Sequence, residues 1–314
     1  MSITSQYSQR LVGNVSDKWH LYLDKYNQLF KPYSDSVVSL LEIGIQNGGS
    51  LDVWVNYFRN ASVILGCDIN QNCADLQFAS QKIKLVIGDI QQPATQQAIL
   101  SLAPSLDIVI DDGSHTSADI IQTFCALFAH VKDGGLYVVE DLHCSYWQDY
   151  GGGLYHPHSS YAFFKALIDI CNHEHWGLKT NPAQYLDSLG FKVGSRVEHL
   201  SYIHSIEFLN SLCIIHKQAP SQNQLGPRCV TGHIESVCAL KHLNGQIAQA
   251  PDQSHNPFSK PPCKDSEAIT LRQKIIEQSQ LISALQHQQS QLKTEILRAE
   301  SQLELLKDLW LGDL

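Results

Sequence analysis

The stretch Glu42-Ile43-Gly44-Ile45-Gln46-Asn47-Gly48-Gly49-Ser50 follows a short apolar run and precedes a candidate helix. Glycine lets a backbone turn tightly and approach a ligand closely. The free N–H groups at the start of the following helix favour negative charge. The spacing ExGxxxGG differs from the GxGxxG of dinucleotide-binding turns, which counts against NAD(P) as the ligand. The stretch therefore predicts a strand, a tight turn and a helix, with a ligand site at the turn.

Short apolar runs alternate with amphipathic segments on both sides of this turn. Such continuous apolar strands suit a parallel sheet that is covered on both faces. The five runs are Val37–Ile45, Val63–Ile69, Ile83–Ile87, Asp107–Ile110 and Leu136–Val139. The candidate helices are Leu51–Phe58, Ala94–Leu102, Ser117–Val131 and Tyr161–Asn172. Two later runs, Tyr202–Phe208 and Leu212–His216, predict an antiparallel hairpin. We predict an α/β, Rossmann-like, doubly wound and mostly parallel seven-stranded sheet with an antiparallel last strand.

Composition divides the chain into three segments. Residues 1–217 carry the alternating pattern. Residues 218–264 are rich in Pro, Gln and Ser, which predicts an extended linker that is either free or draped on the domain. Residues 265–314 predict a coiled coil, which favours a homo-oligomer, although an amphipathic helix packed on the domain is the alternative. Its heptad positions are Leu271, Ile275, Gln278, Ile282, Leu285, Gln289, Leu292, Ile296, Ala299, Leu303, Leu306 and Trp310.

The composition excludes several classes of protein. The 314 residues include 43% hydrophobic ones, so a sizeable core can form. The formal net charge of −9 disfavours nucleic acid binding, which depends on clustered Lys and Arg. The nine cysteines show no paired spacing, which is typical of reduced thiols in the cytoplasm. No apolar run is long enough to span a membrane, and the N-terminus does not resemble a signal peptide. We expect a cytoplasmic location.

Acidic residues end three successive predicted strands. Glu42 ends the first, Asp68 ends the second 24 residues after Gly44, and Asp89 follows the third. An acid at the end of the second strand can accept hydrogen bonds from a ribose diol. Acids also end strands as turn or cap residues, but three in succession make that explanation alone improbable. The predicted cofactor-binding residues are Glu42, Gly44, Gly48, Ser50, Asp68, Asp89 and Asp111.

Two further strand ends carry the predicted chemistry. The fourth strand runs into Asp111-Asp112-Gly113-Ser114-His115, and the fifth runs into Glu140-Asp141-Leu142-His143. Three carboxylates, Asp112, Glu140 and Asp141, suit a hard cation such as Mg²⁺. A divalent ion makes a bound hydroxyl more acidic, so a neutral His115 can remove its proton. His143 is the alternative base, and a hydrogen-bonded turn with a helix cap is the structural alternative.

The strand-end series ExGxxxGGS, GCD and GD resembles the class I S-adenosylmethionine (SAM)-dependent methyltransferases. Asp111–His115, Glu140–His143 and Ser145-Tyr146-Trp147 resemble the metal-dependent sugar O-methyltransferases of macrolide biosynthesis, the mycinamicin and tylosin type. The resemblance covers about Ser16–Lys217. It implies magnesium ligation by Asp112, Glu140 and Asp141 and a catalytic base at His115. It also implies that the lead-in segment around Ser16-Asp17-Lys18 helps to close the site.

The expected function is methyl transfer from SAM to a sugar hydroxyl of a glycan or glycosylated metabolite. One alternative is an oxygenase that resembles the cephalosporin hydroxylases, although the 2-His-1-carboxylate set of iron enzymes is not evident. Another is a non-catalytic coiled-coil scaffold with a vestigial SAM-binding domain. The insert Leu142–Ser159 is rich in Gly and contains four aromatic residues. We expect these residues either to stack on a sugar or to pack within their own loop: Tyr146, Trp147, Tyr150 and Tyr155.

Overall fold

The computed structural model describes residues 2–9, 13–193, 199–259, 261 and 266–311. The chain divides into two compact units, Met1–His255 and Asn256–Leu314. The first unit contains every predicted site residue. The second contains the predicted coiled-coil segment, and each unit is described by itself below.

A seven-stranded sheet forms the centre of the first unit, in the order β3-β2-β1-β4-β5-β7-β6. Strands β1 to β5 are parallel, whereas β7 runs antiparallel to both β5 and β6. The predicted fold class is confirmed, including the antiparallel last strand. The strands are β1 (Ser39–Ile43), β2 (Val63–Asp68), β3 (Ile83–Ile87), β4 (Leu106–Asp111), β5 (Val131–Val139), β6 (Ile203–Leu209) and β7 (Leu212–Lys217).

Helices cover both faces of the sheet. Neighbouring residues of β1 point to opposite faces, so Leu41 packs in one buried apolar cluster and Leu40 in the other. This two-sided burial explains why the strands are continuous apolar runs. The helices of the first unit are α1 (Ile3–Gln9), α2 (His20–Leu29), α3 (Gly49–Tyr57), α4 (Pro93–Leu102), α5 (Ser117–Leu127), α6 (Ser160–Cys171) and α7 (Pro182–Ser188).

The structure differs from the sequence prediction in its helices and in the start of β5, which begins at Val131 and not at Leu136. Helices α1, α2 and α7 were not predicted; α2 buries Tyr22, Leu23 and Tyr26 in one of the two apolar clusters. The predicted helix Ser117–Val131 ends earlier, at Leu127, because a single 3₁₀ turn follows it and Val131 already pairs with Leu106 of β4.

Residues 218–255 of the predicted linker belong to the first unit. The backbone N–H of Leu225 donates to Glu174 Oε1 at 2.7 Å, and the N–H of Gln253 donates to the carbonyl of Gly177 at 2.9 Å. In residues 218–259 the structure has two short 3₁₀ turns and one isolated bridge between Pro227 and Ile247. The segment therefore lies along the domain here; the boundaries at 217 and 264 stay predictions.

The second unit contains one long helix, α8 (Ser266–Leu311), of 46 residues. The predicted C-terminal helix is confirmed, but its pairing in a coiled coil stays a prediction. Of the predicted heptad residues whose side chains are described, all are exposed: Gln278, Ile282, Leu285, Gln289, Leu292, Ile296 and Ala299. The side chains of Leu271, Ile275, Leu303, Leu306 and Trp310 lie outside the described residues. Within the described part of the chain, no helix is long and apolar enough to cross a membrane.

Candidate active site

The carboxyl ends of the parallel strands meet at one edge of the sheet, where a cavity of about 270 Å³ opens. Ligands of open α/β sheets bind in this position. Four of the predicted cofactor residues line the cavity: Gly44, Asp68, Asp89 and Asp111. The sheet topology therefore brings together residues that are far apart in the sequence.

Asp68 organises the glycine-rich turn after β1. Its Oδ2 accepts the backbone N–H groups of Ile45 at 2.9 Å and Gln46 at 3.0 Å, and its Oδ1 accepts from Asn70 at 2.9 Å. A carboxylate offers about four acceptor positions. Asp68 therefore holds the turn and keeps acceptor capacity for a hydroxyl in the cavity.

Gly44 is required by close packing at the same turn. Its φ is +82°, and a Cβ at this position would lie 2.0 Å from the carbonyl oxygen of Asp112. Only glycine fits both the left-handed backbone and this approach. The turn after β1 therefore contacts the end of β4 directly, at Asp112, where the predicted metal-binding residues begin.

Three other predicted cofactor residues do not line the cavity. Glu42 is fully buried and accepts hydrogen bonds from Ser50 Oγ at 2.5 Å and Trp54 Nε1 at 3.0 Å. Gly48 precedes α3 with a φ of +75°. Glu42, Gly48 and Ser50 therefore shape the turn and the start of α3 from behind the cavity wall.

Asp111 is buried at the floor of the cavity and accepts a hydrogen bond from the Tyr137 hydroxyl at 3.3 Å. Burial raises the pKa of Asp111 to about 7, although the hydrogen bonds from Gly113 and Tyr137 oppose that shift.

The cavity wall also contains residues that the sequence did not single out. The side chain of Gln91 spans to the carbonyl of Asp119 at 3.2 Å and to Thr123 Oγ1 at 2.9 Å, closing the end near β3.

Lys18 lies at the centre of the strand-end carboxylates. Its ammonium is 2.5 Å from Asp112 Oδ2, 2.9 Å from Glu140 Oε1 and 3.0 Å from Glu42 Oε1. The Lys18 side chain is only 3% exposed. The contact with Glu42 meets the ion-pair distance but is not aligned as a hydrogen bond. The segment before α2 is therefore attached to three strand ends by one buried cation.

The charges of this cluster do not balance. Burial lowers the pKa of the Lys18 ammonium, but Glu140, Glu42 and Asp112 outweigh burial and raise it well above its ordinary value. Burial raises the pKa of Glu140 to about 8 and also raises that of Asp112, in both cases against the lowering effect of Lys18. Three carboxylates share one ammonium, so a proton or a further cation is favoured beside Asp112.

The second oxygen of Asp112 faces a different group. Its Oδ1 lies 3.9 Å from His115 Nε2, which is also 3.9 Å from Asp141 Oδ2. The three side chains offer one ligand atom each within 4.8 Å of one another. His115 has a φ of +58° and Asp141 a φ of +49°, so both occupy the left-handed region that side-chain-bearing residues rarely adopt. The backbone is thus held so that these side chains converge.

Asp141 is positioned by the N-terminal segment. Its Oδ1 accepts hydrogen bonds from Trp19 Nε1 and from the Tyr22 hydroxyl, each at 2.9 Å. The same hydroxyl accepts the backbone N–H of Asp141 at 3.1 Å. His143, the alternative base, has its Nδ1 on the hydroxyl of Ser211 and 3.9 Å from Asp141 Oδ1, whereas His115 Nε2 lies 3.9 Å from both Asp112 Oδ1 and Asp141 Oδ2.

Residues 41–142 match the protein family described as a methyltransferase domain. This match and the sheet topology define the class: the chain contains a SAM-dependent methyltransferase domain of the α/β type. The resemblance to macrolide sugar O-methyltransferases that the motifs predicted is confirmed by the relatives that follow.

The chain is similar to several O-methyltransferases, of which three are described here. It is 34% identical over 217 residues to the 8-demethyl-8-alpha-L-rhamnosyl tetracenomycin-C 2'-O-methyltransferase of Streptomyces olivaceus, covering 66% of this chain and 53% of that protein. It is 32% identical over 200 residues to the mycinamicin VI 2''-O-methyltransferase of Micromonospora griseorubida, covering 60% of this chain and 48% of that protein. It is 35% identical over 185 residues to the demethylmacrocin O-methyltransferase of Streptomyces fradiae, covering 55% of this chain and 44% of that protein.

A solved structure shows the same architecture. The mycinamycin-pathway methyltransferase MycE, in complex with Mg and SAH, matches with a TM-score of 0.56 and 28% identity. The match covers 70% of this chain and 54% of that one. The chain thus spans about half the length of the relatives it matches.

Proposed function

We propose that this protein is a SAM- and Mg²⁺-dependent O-methyltransferase that acts on a sugar hydroxyl of a glycan or a glycosylated metabolite. The observation that carries the proposal is the placement of Asp112, His115 and Asp141 beside the cavity that Asp68 and Asp89 line. A cofactor cavity and a cation-binding group of side chains thus share the loop after β4.

The proposed cofactor site uses the cavity at the ends of β1 to β4. SAM supplies the methyl group when it is bound there. Asp68 follows the logic of Rossmann-like sites, in which the acid at the end of the second strand accepts from a ribose hydroxyl. Asp89 lines the cavity beyond it, and Gln91 closes the same end. Glu42, Gly48 and Ser50 support the turn that forms the near wall.

The donor set fits a hard divalent cation. Asp112 belongs to both groups of converging side chains, one with His115 and Asp141 and the other with Glu42 and Glu140; neither group holds Asp112, Glu140 and Asp141 together, and Asp112 is the residue that links them. Mg²⁺ prefers carboxylate oxygens and keeps several waters, so Asp112, Glu140 and Asp141 are the proposed ligands. A bound Mg²⁺ would increase the acidity of an acceptor hydroxyl. The unbalanced negative charge around Lys18 favours such a cation electrostatically.

His115 is the proposed general base. Its Nε2 faces Asp112 and Asp141 at 3.9 Å, and its side chain is 20% exposed, so a hydroxyl that enters from solvent can reach it. A neutral imidazole has one ring nitrogen that can accept a proton. The two carboxylates then stabilise the imidazolium that forms.

The sugar acceptor is inferred from the relatives. Their names describe methylation of a rhamnosyl group on tetracenomycin and of mycinamicin VI. MycE has been solved in complex with Mg, SAH and mycinamycin VI. We extend to this chain only the class of acceptor, a sugar hydroxyl.

The assembly is a further part of the proposal. We propose that residues 218–264 connect the methyltransferase domain to a coiled coil formed by residues 265–314. Ile at a and Leu at d favours a parallel two-stranded coil, and the exposure of Ile282, Leu285 and Leu292 leaves an apolar stripe for a second copy.

Incubation with methyl-labelled SAM and a panel of methyl glycosides tests the activity. We expect label in a sugar fraction with Mg²⁺, loss of label after exhaustive chelation with EDTA, and recovery when Mg²⁺ is restored. Since a panel can miss the natural acceptor, glycans and glycosylated metabolites of a deletion strain are compared with those of the parent by mass spectrometry. An unchanged methylation pattern in that comparison, together with no label in the panel, would refute the proposal.

A further inference from the structure

Four aromatic rings form a continuous row that starts at Asp141, with two exposed indoles and two partly buried rings. We call this row the aromatic ledge and define it as Trp19, His143, Trp147 and Tyr150. The centroids of Trp19 and His143 are 6.3 Å apart, those of His143 and Trp147 are 4.9 Å apart, and those of Trp147 and Tyr150 are 5.9 Å apart. The ledge combines the segment before α2 with the insert between β5 and α6.

The two indoles of the ledge are unusually open to solvent. Trp19 is 59% exposed and Trp147 is 50% exposed. A single exposed apolar residue is ordinary, but a contiguous exposed apolar surface marks a binding site. The indole nitrogen of Trp19 is already paired with Asp141, so what Trp19 offers to solvent is mainly the apolar part of its ring. The surface is therefore suited to a ligand with an apolar face.

We propose that the aromatic ledge is the binding site for the pyranose ring of the acceptor. The inference rests on the proposed function and deepens it, since it assigns the part of the protein that holds the sugar. A pyranose has a face of C–H groups and an edge of hydroxyl groups. The C–H face packs on aromatic rings, while the hydroxyl edge needs polar partners.

The position of the ledge supplies both requirements. The same Asp141 that accepts from Trp19 through Oδ1 lies 3.9 Å from His115 Nε2 through Oδ2. A ring seated on Trp19 and Trp147 is thus next to the proposed base, with its hydroxyl edge towards the carboxylates. We commit to a sugar because a wholly apolar ligand would cover Asp141 Oδ2 without offering it a hydrogen-bond donor, whereas a sugar hydroxyl supplies one.

The structure separates the ledge from the other aromatic residues of the insert. Tyr146 packs on Tyr161 at 5.5 Å, and Tyr161 in turn stacks on Phe208 at 5.2 Å. Tyr155 is 91% exposed and belongs to no described ring pair. Of the four insert residues that the sequence left open, Trp147 and Tyr150 therefore belong to the ledge, while Tyr146 and Tyr155 do not.

Saturation-transfer NMR with the full chain tests the ledge without turnover. The protein is saturated with SAH and Mg²⁺, and methyl α-L-rhamnopyranoside is the probe. We expect transfer to the ring C–H protons of the probe. Trp147→Ala and Trp19→Ala should weaken probe binding about threefold to tenfold, the range of one aromatic contact. Trp19→Phe should restore most of it, since the aromatic ring remains.

Tyr155→Ala is the matched control and should bind the probe as the unchanged protein does. SAH affinity, measured on every variant, shows that each one is folded. Absence of transfer to the probe in the unchanged protein, or equal losses in Tyr155→Ala and Trp147→Ala, would overturn the ledge. Probe binding without any methyl transfer would contradict the proposed function but not the role of the ledge. Methyl transfer that is unchanged in Trp147→Ala would contradict the role of the ledge but not the proposed function.

Discussion

The Lys18 ammonium lies 2.5 Å from Asp112 Oδ2, and it joins a segment near the N-terminus to the end of the fourth strand across 94 positions of sequence. Removing a buried partner of an ion pair leaves its counter-charge uncompensated. Lys18→Met should therefore lower the free energy of unfolding by about 3–5 kcal/mol, measured by urea denaturation in EDTA.

Lys25→Met is the matched control for this substitution. Lys25 pairs with Glu207, whose side chain is 45% exposed. A surface pair of this kind contributes about 0–1 kcal/mol. Equal losses for the two lysines would contradict the role of Lys18 as the internal counter-ion of Glu42, Asp112 and Glu140.

The hydroxyl of Tyr22 should tune metal affinity, because it donates to Asp141 Oδ1 and accepts the N–H of the same residue. Partners that orient a metal ligand typically change affinity by about 10–100-fold. Tyr22→Phe is expected to weaken Mg²⁺ binding by that factor in a calorimetric titration.

A tyrosine at the opposite end of the sheet provides the comparison. Tyr33 donates to the carbonyl of Gly134, so Tyr33→Phe should leave Mg²⁺ affinity unchanged. If Tyr22→Phe binds Mg²⁺ as tightly as Tyr33→Phe does, Asp141 is not oriented in this way.

His115→Ala should lower kcat by about 10²–10⁴, the usual contribution of a general base. SAM affinity should change little, since His115 is absent from the residues that line the cavity. The measurement compares kcat and SAM affinity in His115→Ala and His143→Ala. A large loss of kcat in His143→Ala alone would transfer the role of base to His143, which contacts Ser211.

The exposed stripe of α8 should mediate self-association. Leu285 and Leu292 occupy d positions of the heptad and are each 54% exposed. Replacing both with Asp should convert a dimer to a monomer in light scattering, whereas Gln280→Asp on the outer face should not. A full chain that is monomeric from the start would contradict the coiled coil.

The truncation that isolates the methyltransferase domain is best placed after His255. Because Leu225 and Gln253 hydrogen-bond to the domain, a chain that ends at Lys217 loses these contacts. A chain ending at His255 should retain SAM binding and should be monomeric if α8 is the association element.

Much of this architecture could be predicted from the sequence because the five parallel strands contain apolar runs with an acid at or just after the carboxyl end. The positions of Asp68, Asp89 and Asp111 on one cavity follow from parallel strands sharing an edge. The position of Lys18 could not be predicted, because nothing local to Ser16-Asp17-Lys18 indicates contacts with residues 94 and 122 positions away. In the sequence, only the resemblance to the macrolide enzymes indicates that this segment belongs to the site.

The sequence also does not predict that Glu42 is buried away from the cavity. A strand-end acid and a glycine-rich turn fit a ligand contact and a buried structural contact equally well. The choice depends on Ser50 and Trp54, whose side chains donate to Glu42 from α3. Likewise, Gln91 and Thr123 close the cavity only because β3 and α5 meet in the folded domain.

Calorimetric titration of the full chain with SAM tests the central claim most directly, since it needs no acceptor. The comparison is between the unchanged protein, Asp68→Asn and Asp133→Asn; Asp133 is an exposed residue near the start of β5, at the other end of the sheet. We predict binding of one SAM per chain, a loss of about 1.5–3 kcal/mol in Asp68→Asn and no change in Asp133→Asn. Absence of SAM binding by the unchanged protein, or equal affinity in all three, would contradict the account.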